Sequence, residues 1–411
     1  MASSFLENLP TQFFRVPPVS ERRPFDTSTF FAYIVPTCLS YYVAAVLVIL
    51  PGTRVLRIAL WPLVALLAFR ATMGIDFTGG DPQKTFFNVD FALIMFCFVV
   101  RTFEWTTAKD PLKRHLRPTG SSPSIFMDAL DLSTNVRGIG WNWSKSLRVP
   151  PDARPSSRGW FIAYVLLSTW YHSIVCGAFH LATQAFSPET FTVLSGGTIF
   201  DATLPPLIRY FRSVIITVFA AVAIFAVMQL IYDIATLIGV IVLQQDPAQW
   251  PPIFDKPWKA DSLRDFWGYR WHQLFRRTFV VVGGWPLGIA FGRMGYVLGS
   301  FLASGAVHNI VVVMLNQNVE WWCMLLAFGM MAVGVLLEHM FTRMTGKEVG
   351  GWIGRVWSMA WLLVWGSIMM DGFARAGLLA STTLLDTACP VKGIVEYYVT
   401  VLDRWLRECA S

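Results

Sequence analysis

Two of the six histidines in this 411-residue chain stand in surroundings that suit proton transfer. His272 lies in SLRDFWGYRWHQLFRRTF, residues 262–279, and His308 in FLASGAVHNI, residues 301–310. At 100° per residue, Leu263, Phe266, Trp267, Trp271, Leu274 and Phe275 share one face of the first stretch, with Asp265, Tyr269, His272 and Arg276 opposite. That pattern predicts an amphipathic helix lying against a membrane, with Ser262 and Asp265 as its N-terminal capping pair. His308 falls within residues 297–315, an apolar run relieved mainly by small side chains. A histidine on an interfacial helix and another at membrane depth predict an acid/base site reached from both water and lipid. A buried imidazole stays neutral and can accept a proton, which is what an alcohol must lose to attack a carbonyl carbon near neutral pH.

The elements that must hold these groups are membrane helices. The chain is 55% hydrophobic and 14% charged, against roughly 25% charged in soluble domains. Its mean hydropathy is +0.50, and its 18 Trp and 32 Phe suit a bilayer with aromatic residues at both interfaces. The expected fold is all-α: a polytopic bundle of about eight spans, with an interfacial amphipathic helix and a re-entrant segment. The net charge of +7 fits cytoplasmic loops and a phosphate-bearing ligand. Without an arginine-rich tract or a stacking platform, nucleic acid is excluded as a partner. The six cysteines are scattered without a CxxC pair, which predicts neither a metal site nor a disulfide framework. Residues 1–29 have no compact apolar core, so they read as a polar segment without a cleavable signal, ahead of one membrane-embedded domain over 30–411.

In chain order, apolar runs at 30–50, 58–73, 86–103, 160–181 and 214–243 predict the first five spans. Residues 101–158 and 246–279 are rich in Lys and Arg, which predicts cytosolic loops and a lumenal N-terminus. Beyond 279 the reading branches. Residues 280–291 are apolar but carry Gly283, Gly284, Pro286 and Gly288, poor residues for a plain helix. Counting them as a full span puts the basic link at Arg343, Lys347 and Arg355 in the lumen. Counting them as re-entrant restores that link to the cytosol, so re-entry is the expectation. Residues 297–315, 321–341 and 356–370 complete the spans, and 378–405 is expected on the surface.

The stretch FWGYRWHQLFRRTF, following Pro251-Pro252-Ile253-Phe254, together with Arg137-Gly138-Ile139-Gly140-Trp141-Asn142-Trp143 and Ser304-Gly305-Ala306-Val307-His308, resembles the wax-synthase-like branch of the membrane-bound O-acyltransferase superfamily. More narrowly, it is similar to fungal members that acetylate terpenoid and meroterpenoid alcohols. The three motifs follow the family's order and cover the middle and later parts of the chain. The resemblance implies an endoplasmic-reticulum enzyme that moves an acyl group, acetyl above all, from coenzyme A to the hydroxyl of an apolar polycyclic alcohol. It implies His308 as the catalytic base and His272 as its partner, at a position where many members of the wider superfamily carry Asn. Acetyl-coenzyme A is then a co-substrate, and no permanently bound cofactor is expected.

On this reading Trp267, Arg270, Trp271, Gln273 and Asn309 are candidate acceptor-binding residues, and Arg264, Arg276 and Arg277 candidate contacts for the phosphates of coenzyme A. The other histidines have quieter readings. His172 and His180 share a helical face but lack a nearby carboxylate in the sequence, so packing or cavity roles are expected. His339 beside Glu338, near a helix end, reads as part of a buried polar pair or as an interface residue. The sequon Asn142-Trp143-Ser144 falls in the loop expected in the cytosol and would go unused. Three other functions compete: a long-chain wax-ester synthase, a small-molecule transporter and a lipid-binding scaffold. A transporter should carry internal repeats, yet the two halves share no motif. A scaffold leaves the two histidine motifs without a common purpose.

Overall fold

The computed structural model describes residues 17, 19–117, 120–144, 147–315, 321–381 and 384–409; most of the polar segment expected over 1–29 lies outside them. Among the described residues, eight helices are long and apolar enough to cross a membrane. The protein is thus an all-helical, multi-pass membrane protein. It divides into two compact units, 1–109 and 110–411.

The first unit holds three spans: α1 (Thr27–Ile49), α2 (Arg54–Gly74) and α3 (Phe86–Thr107). Asp26 starts α1 with a capping box, its carboxylate accepting the Thr29 N–H at 2.8 Å while the Thr29 hydroxyl accepts the Asp26 N–H. Pro51 and Gly52 turn the chain, with Gly52 in the left-handed region at φ +72°. Ala68, Ala71 and Met95 pack where α2 meets α3. Two parallel two-residue strands, β1 (Arg23–Pro24) and β2 (Ile75–Asp76), tie the segment ahead of α1 to the turn after α2. β2 ends on a buried carboxylate, Asp76, which accepts from Thr78 and Asn88.

In the second unit a polar region precedes the helices. There α4 (Ile125–Thr134) presents Asp128 and Asp131 to Arg114 and Arg117. Part of the positive charge expected for this loop is therefore neutralised internally. The spans are α5 (Arg158–Gln184), α6 (Pro206–Val242), α7 (Arg276–Leu315), α8 (Trp322–Thr345) and α9 (Gly351–Arg375). Phe186, Phe191, Ile216, Met324, Met370 and Phe373 form the core among them. A last helix, α10 (Lys392–Glu408), buries Val399 and Leu406 in that core while Tyr397, Tyr398 and Trp405 stay exposed. The surface placement expected for 378–405 holds for one face of α10 only.

α7 positions the site, and it is not one rod. At Gly292 the backbone turns to φ 61°, ψ −144°, a conformation essentially restricted to glycine. Residues 276–291 fold back along residues 293–315. A Cβ on Gly283 would meet the Gly299 carbonyl at 2.1 Å, one on Gly284 the Ser300 hydroxyl at 2.5 Å, and one on Gly295 the Leu287 carbonyl at 2.2 Å. These approaches define an antiparallel helical hairpin whose limbs touch backbone to backbone, possible only because the contact positions are glycines. The short limb is about 24 Å long at 1.5 Å per residue, less than a bilayer core of roughly 30 Å. Asp261, Ser262, Arg293, Glu348 and Gly350 all line one cavity, so the approach to residue 262, the hairpin tip and the α8–α9 link gather at one end of the unit. The chain enters at 262 and returns to the same end at 292, the re-entrant form expected for 280–291.

Candidate active site

The segment leading into the hairpin is not the continuous amphipathic helix expected over 262–279. A single α-turn (Leu263–Asp265) passes into a π-helical turn (Phe266–Arg270), and at Trp271 the chain becomes extended, with ψ 151°. Helix resumes only at Arg276. The start is as expected: the Ser262 hydroxyl accepts the Asp265 N–H at 3.0 Å. What the sequence pattern missed is a second cap from another helix. Glu338 of α8 accepts the N–H groups of Leu263 and Arg264 at 2.7 and 2.9 Å, and the Trp357 indole N–H at 3.1 Å. Glu338 therefore pins the segment and is not paired with His339, which lines the cavity instead.

The break has its own supports. The buried Gln273 amide donates to the carbonyls of Trp267 and Trp271, at 3.2 and 2.7 Å. Arg276 donates to the Gly268 carbonyl and to the Gln273 side-chain oxygen, at 2.9 and 3.1 Å. These bonds satisfy carbonyls that a continuing helix would have used. The two faces drawn from a 3.6-residue period lose their meaning past Trp271. His272, expected on the face opposite the aromatics, lies among them, with ring centroids 5.6 Å from Trp271, 6.1 Å from Phe254 and 6.3 Å from Phe275.

The hairpin register brings the second histidine to this place. Gly283 faces Gly299 and Leu287 faces Gly295; carried down the limbs, that register sets His308 level with Leu274, two residues after His272 and just ahead of the short limb. His308 Nδ1 donates to the Ser304 carbonyl at 2.7 Å, one turn back in its own helix. A carbonyl can only accept, so the proton of a neutral ring sits on Nδ1 and the Nε2 lone pair is free. The His308 ring lies 4.4 Å from Phe328 and 6.4 Å from Phe373. Phe328 also contacts Trp267 at 6.2 Å, and Trp267 contacts Trp271 at 6.4 Å. One continuous set of aromatic rings thus links the two histidines. Trp267 Nε1, His272 Nδ1 and Asn309 Oδ1 are buried and have no hydrogen-bond partner among the described residues.

The arginines divide by what already holds them. Arg270 is ion-paired with Asp265 and donates to the Asp255 carbonyl at 3.2 Å, fastening the preceding loop. Arg277 stacks 4.7 Å over the Trp143 ring and donates to the Trp143 carbonyl at 3.1 Å, joining the RGIGWNW stretch to the hairpin. Arg276 supports the break. Arg264 is exposed, 3.6 Å from Glu348, and lines a cavity of about 480 Å³ with Tyr269, Arg293, His339 and Glu348. Among the candidate cofactor-binding arginines, Arg264 alone is among the residues lining this cavity; Arg293 and His339 join it there unforeseen.

Arg137, the first residue of RGIGWNW, is buried and donates to the Pro251 carbonyl at 2.6 Å and to the Tyr232 hydroxyl at 3.2 Å. Two of the resembling motifs are therefore one structural unit, because Pro251-Pro252 leads directly to Phe254 beside His272.

His172 and His180 need correction. The expectation that they lack a carboxylate fails, since the partners come from distant parts of the chain. His180 Nδ1 lies 2.8 Å from Asp386, and His172 Nδ1 lies 3.5 Å from Asp233. Asp233 also accepts from Ser168 and Gln229. No group of three or more His, Cys, Asp or Glu suited to a metal occurs among the described residues.

Residues 250–330, which contain the 262–279 segment, the hairpin and His308, match the sequence model of the membrane-bound O-acyl transferase family. The relatives are fungal and of modest identity. O-Mevalon transferase macI of Penicillium terrestre is 29% identical over 46% of this chain and 46% of its own length. Acetyltransferase ple2 of Rhodocybe pseudopiperita is 26% identical over 61% of this chain and 68% of its own. Acetyltransferase spyB of Aspergillus fumigatus is 23% identical over 78% of this chain and 57% of its own. The chain spans about half the length of the first of these. The first of these relatives is named for O-mevalon transfer and the other two for acetyl transfer.

Proposed function

We propose that the protein transfers an acetyl group from acetyl-coenzyme A to a hydroxyl of an apolar, polycyclic terpenoid or meroterpenoid alcohol in a secondary-metabolite pathway of the endoplasmic reticulum. The observation that carries this reading is His308, whose Nδ1–H is committed to the Ser304 carbonyl and whose Nε2 faces no partner among the described residues. In the proposed reaction Nε2 takes the hydroxyl proton as the alcohol oxygen attacks the thioester carbonyl carbon. The tetrahedral intermediate collapses by breaking the carbon–sulfur bond. The thiolate then takes up a proton from the imidazolium, giving ester and free thiol with His308 restored.

His272, on the same chamber wall, orients the thioester or delivers a proton to the leaving sulfur. Trp267, Trp271 and Asn309 border the acceptor, and Gln273 and Arg270 hold that wall in shape. Arg264 at the cavity mouth meets phosphate groups of coenzyme A, with Arg276 and Arg277 behind it. The aromatic lining excludes water, which would otherwise hydrolyse the thioester. The names of the relatives support acetyl as the donor group over a long wax-ester chain.

Microsomes carrying wild-type, His308→Ala or His272→Ala protein, matched for abundance and supplied with labelled acetyl-coenzyme A and a panel of terpenoid alcohols, test the reading. Labelled ester from the wild type and none from His308→Ala is the expected result. Undiminished ester formation by His308→Ala would overturn the base assignment. Ester only from long-chain donors would favour the wax-ester reading.

A further inference from the structure

The proposed reaction creates a negative oxygen at the thioester carbonyl, and a chamber that accelerates the step needs a donor aimed at that oxygen. Neither hydrogen on His308 serves: one is bound to Ser304, and the other arrives only with the alcohol proton. Gln273 spends its N–H groups on the Trp267 and Trp271 carbonyls. Arg270 is held by Asp265 and Asp255.

Trp267 differs from all of these. Its indole nitrogen is a donor that cannot accept, it is shut off from the surface, and it has no partner among the described residues. Leaving such a group unpaired is unfavourable unless a ligand completes it. Its ring is fixed by Phe266 at 4.9 Å, Phe301 at 5.6 Å and Phe328 at 6.2 Å, the last being the ring that also lies against His308. The Trp267 carbonyl is in turn held by Gln273. This is a rigid, dry N–H at the centre of the ring set joining the two histidines.

We infer that the Trp267 indole N–H is the oxyanion donor, hydrogen-bonding the thioester carbonyl oxygen as it becomes negative in the attack. This assignment rests on the acetyl-transfer reading above. No proton leaves the indole; the bond shortens as charge develops and relaxes when the carbon–sulfur bond breaks.

The test compares wild type, Trp267→Phe and a protein with 3-benzothienylalanine introduced at position 267, which keeps the bicyclic shape and replaces N–H by sulfur. All three are purified in detergent, checked for equal thermal unfolding and assayed with acetyl-coenzyme A and an accepted alcohol. The expected result is a fall in kcat of about 10²-fold or more in both variants, with the KM for each substrate changed less than about threefold. A benzothienyl protein that keeps wild-type kcat overturns the inference, because only the N–H has been removed. A fall confined to Trp267→Phe assigns the ring a packing role and likewise overturns it. If the wild type forms no ester with any donor, the acetyl-transfer reading itself fails, and the donor role falls with it.

Discussion

Two pairs of histidines sit in the second unit, and the structure treats them in opposite ways. On α5, His180 is closed at both nitrogens, Nδ1 by Asp386 and Nε2 by the Leu379 carbonyl at 3.1 Å, while His172 lies beside Asp233. At the hairpin, neither His272 nor His308 meets a carboxylate among the described residues, and the surroundings are aromatic rings and orphaned polar atoms. A histidine hydrogen-bonded to a carboxylate is a fastener, since a buried polar group resists losing its partner. One among rings keeps a lone pair that no described residue uses. The difference separates histidines that hold helices together from the histidines to which the proposed reaction gives the proton.

The comparison breaks most decisively at His308. Replacing it with Ala should lower ester formation by about 10³-fold, within the usual range for general-base loss, while abundance and thermal unfolding stay near wild type. Activity assays paired with melting in detergent measure both halves, and a variant that melts early while turning over normally would reverse the assignment. Next in size is Gly283→Leu at the hairpin contact, where a Cβ already meets the Gly299 carbonyl at 2.1 Å. Overpacking of about 3 kcal/mol or more should remove most folded protein, seen as loss of the monodisperse peak in detergent gel filtration.

His180→Ala should do the reverse of His308→Ala. Loss of its hydrogen bonds to Asp386 and the Leu379 carbonyl should cost about 1–3 kcal/mol of stability, and kcat per folded molecule should hold within about twofold. A large loss of kcat with an unchanged melting temperature would place His180 in the chemistry. The smallest effect belongs to Arg264→Ala, an exposed residue at the cavity mouth. It should raise the KM for acetyl-coenzyme A about threefold and steepen no other parameter, consistent with one screened charge contact; steady-state kinetics at low and high salt would show the difference shrinking with salt.

The fold was legible because its main signals are local. Apolar run length fixes where a span can lie, so all eight spans were anticipated, with α6 starting earlier, at Pro206, and α2 at Arg54, where charged residues extend the helices beyond their apolar runs. Re-entry at 280–291 was legible through the glycines and the charge balance of the α8–α9 link. The break at Trp271 was not, because it depends on side chains bonding to carbonyls: Gln273 two residues on and Arg276 five residues on. A periodicity argument assumes the backbone bonds to itself. The carboxylates of His172 and His180 escaped notice for a different reason: Asp386 is 206 residues from His180, and no spacing rule reaches that far. Glu338 as a cap was hidden in the same way. The two histidine motifs, by contrast, were visible as types in context, and the hairpin register explains why motifs so far apart in sequence adjoin.

That hairpin also sets a clock. Because one continuous stretch of chain, 262–308, carries both histidines and the turn that aligns them, the pair is complete as soon as His308 is made. At about 5–20 residues per second, only a few seconds separate the synthesis of His272 from that of His308. The limbs can zip through their glycines while α8 and α9 are still unmade, so the later helices arrive to a histidine pair already in register and contribute Glu338, Phe328 and Phe373 as its clamp and lining.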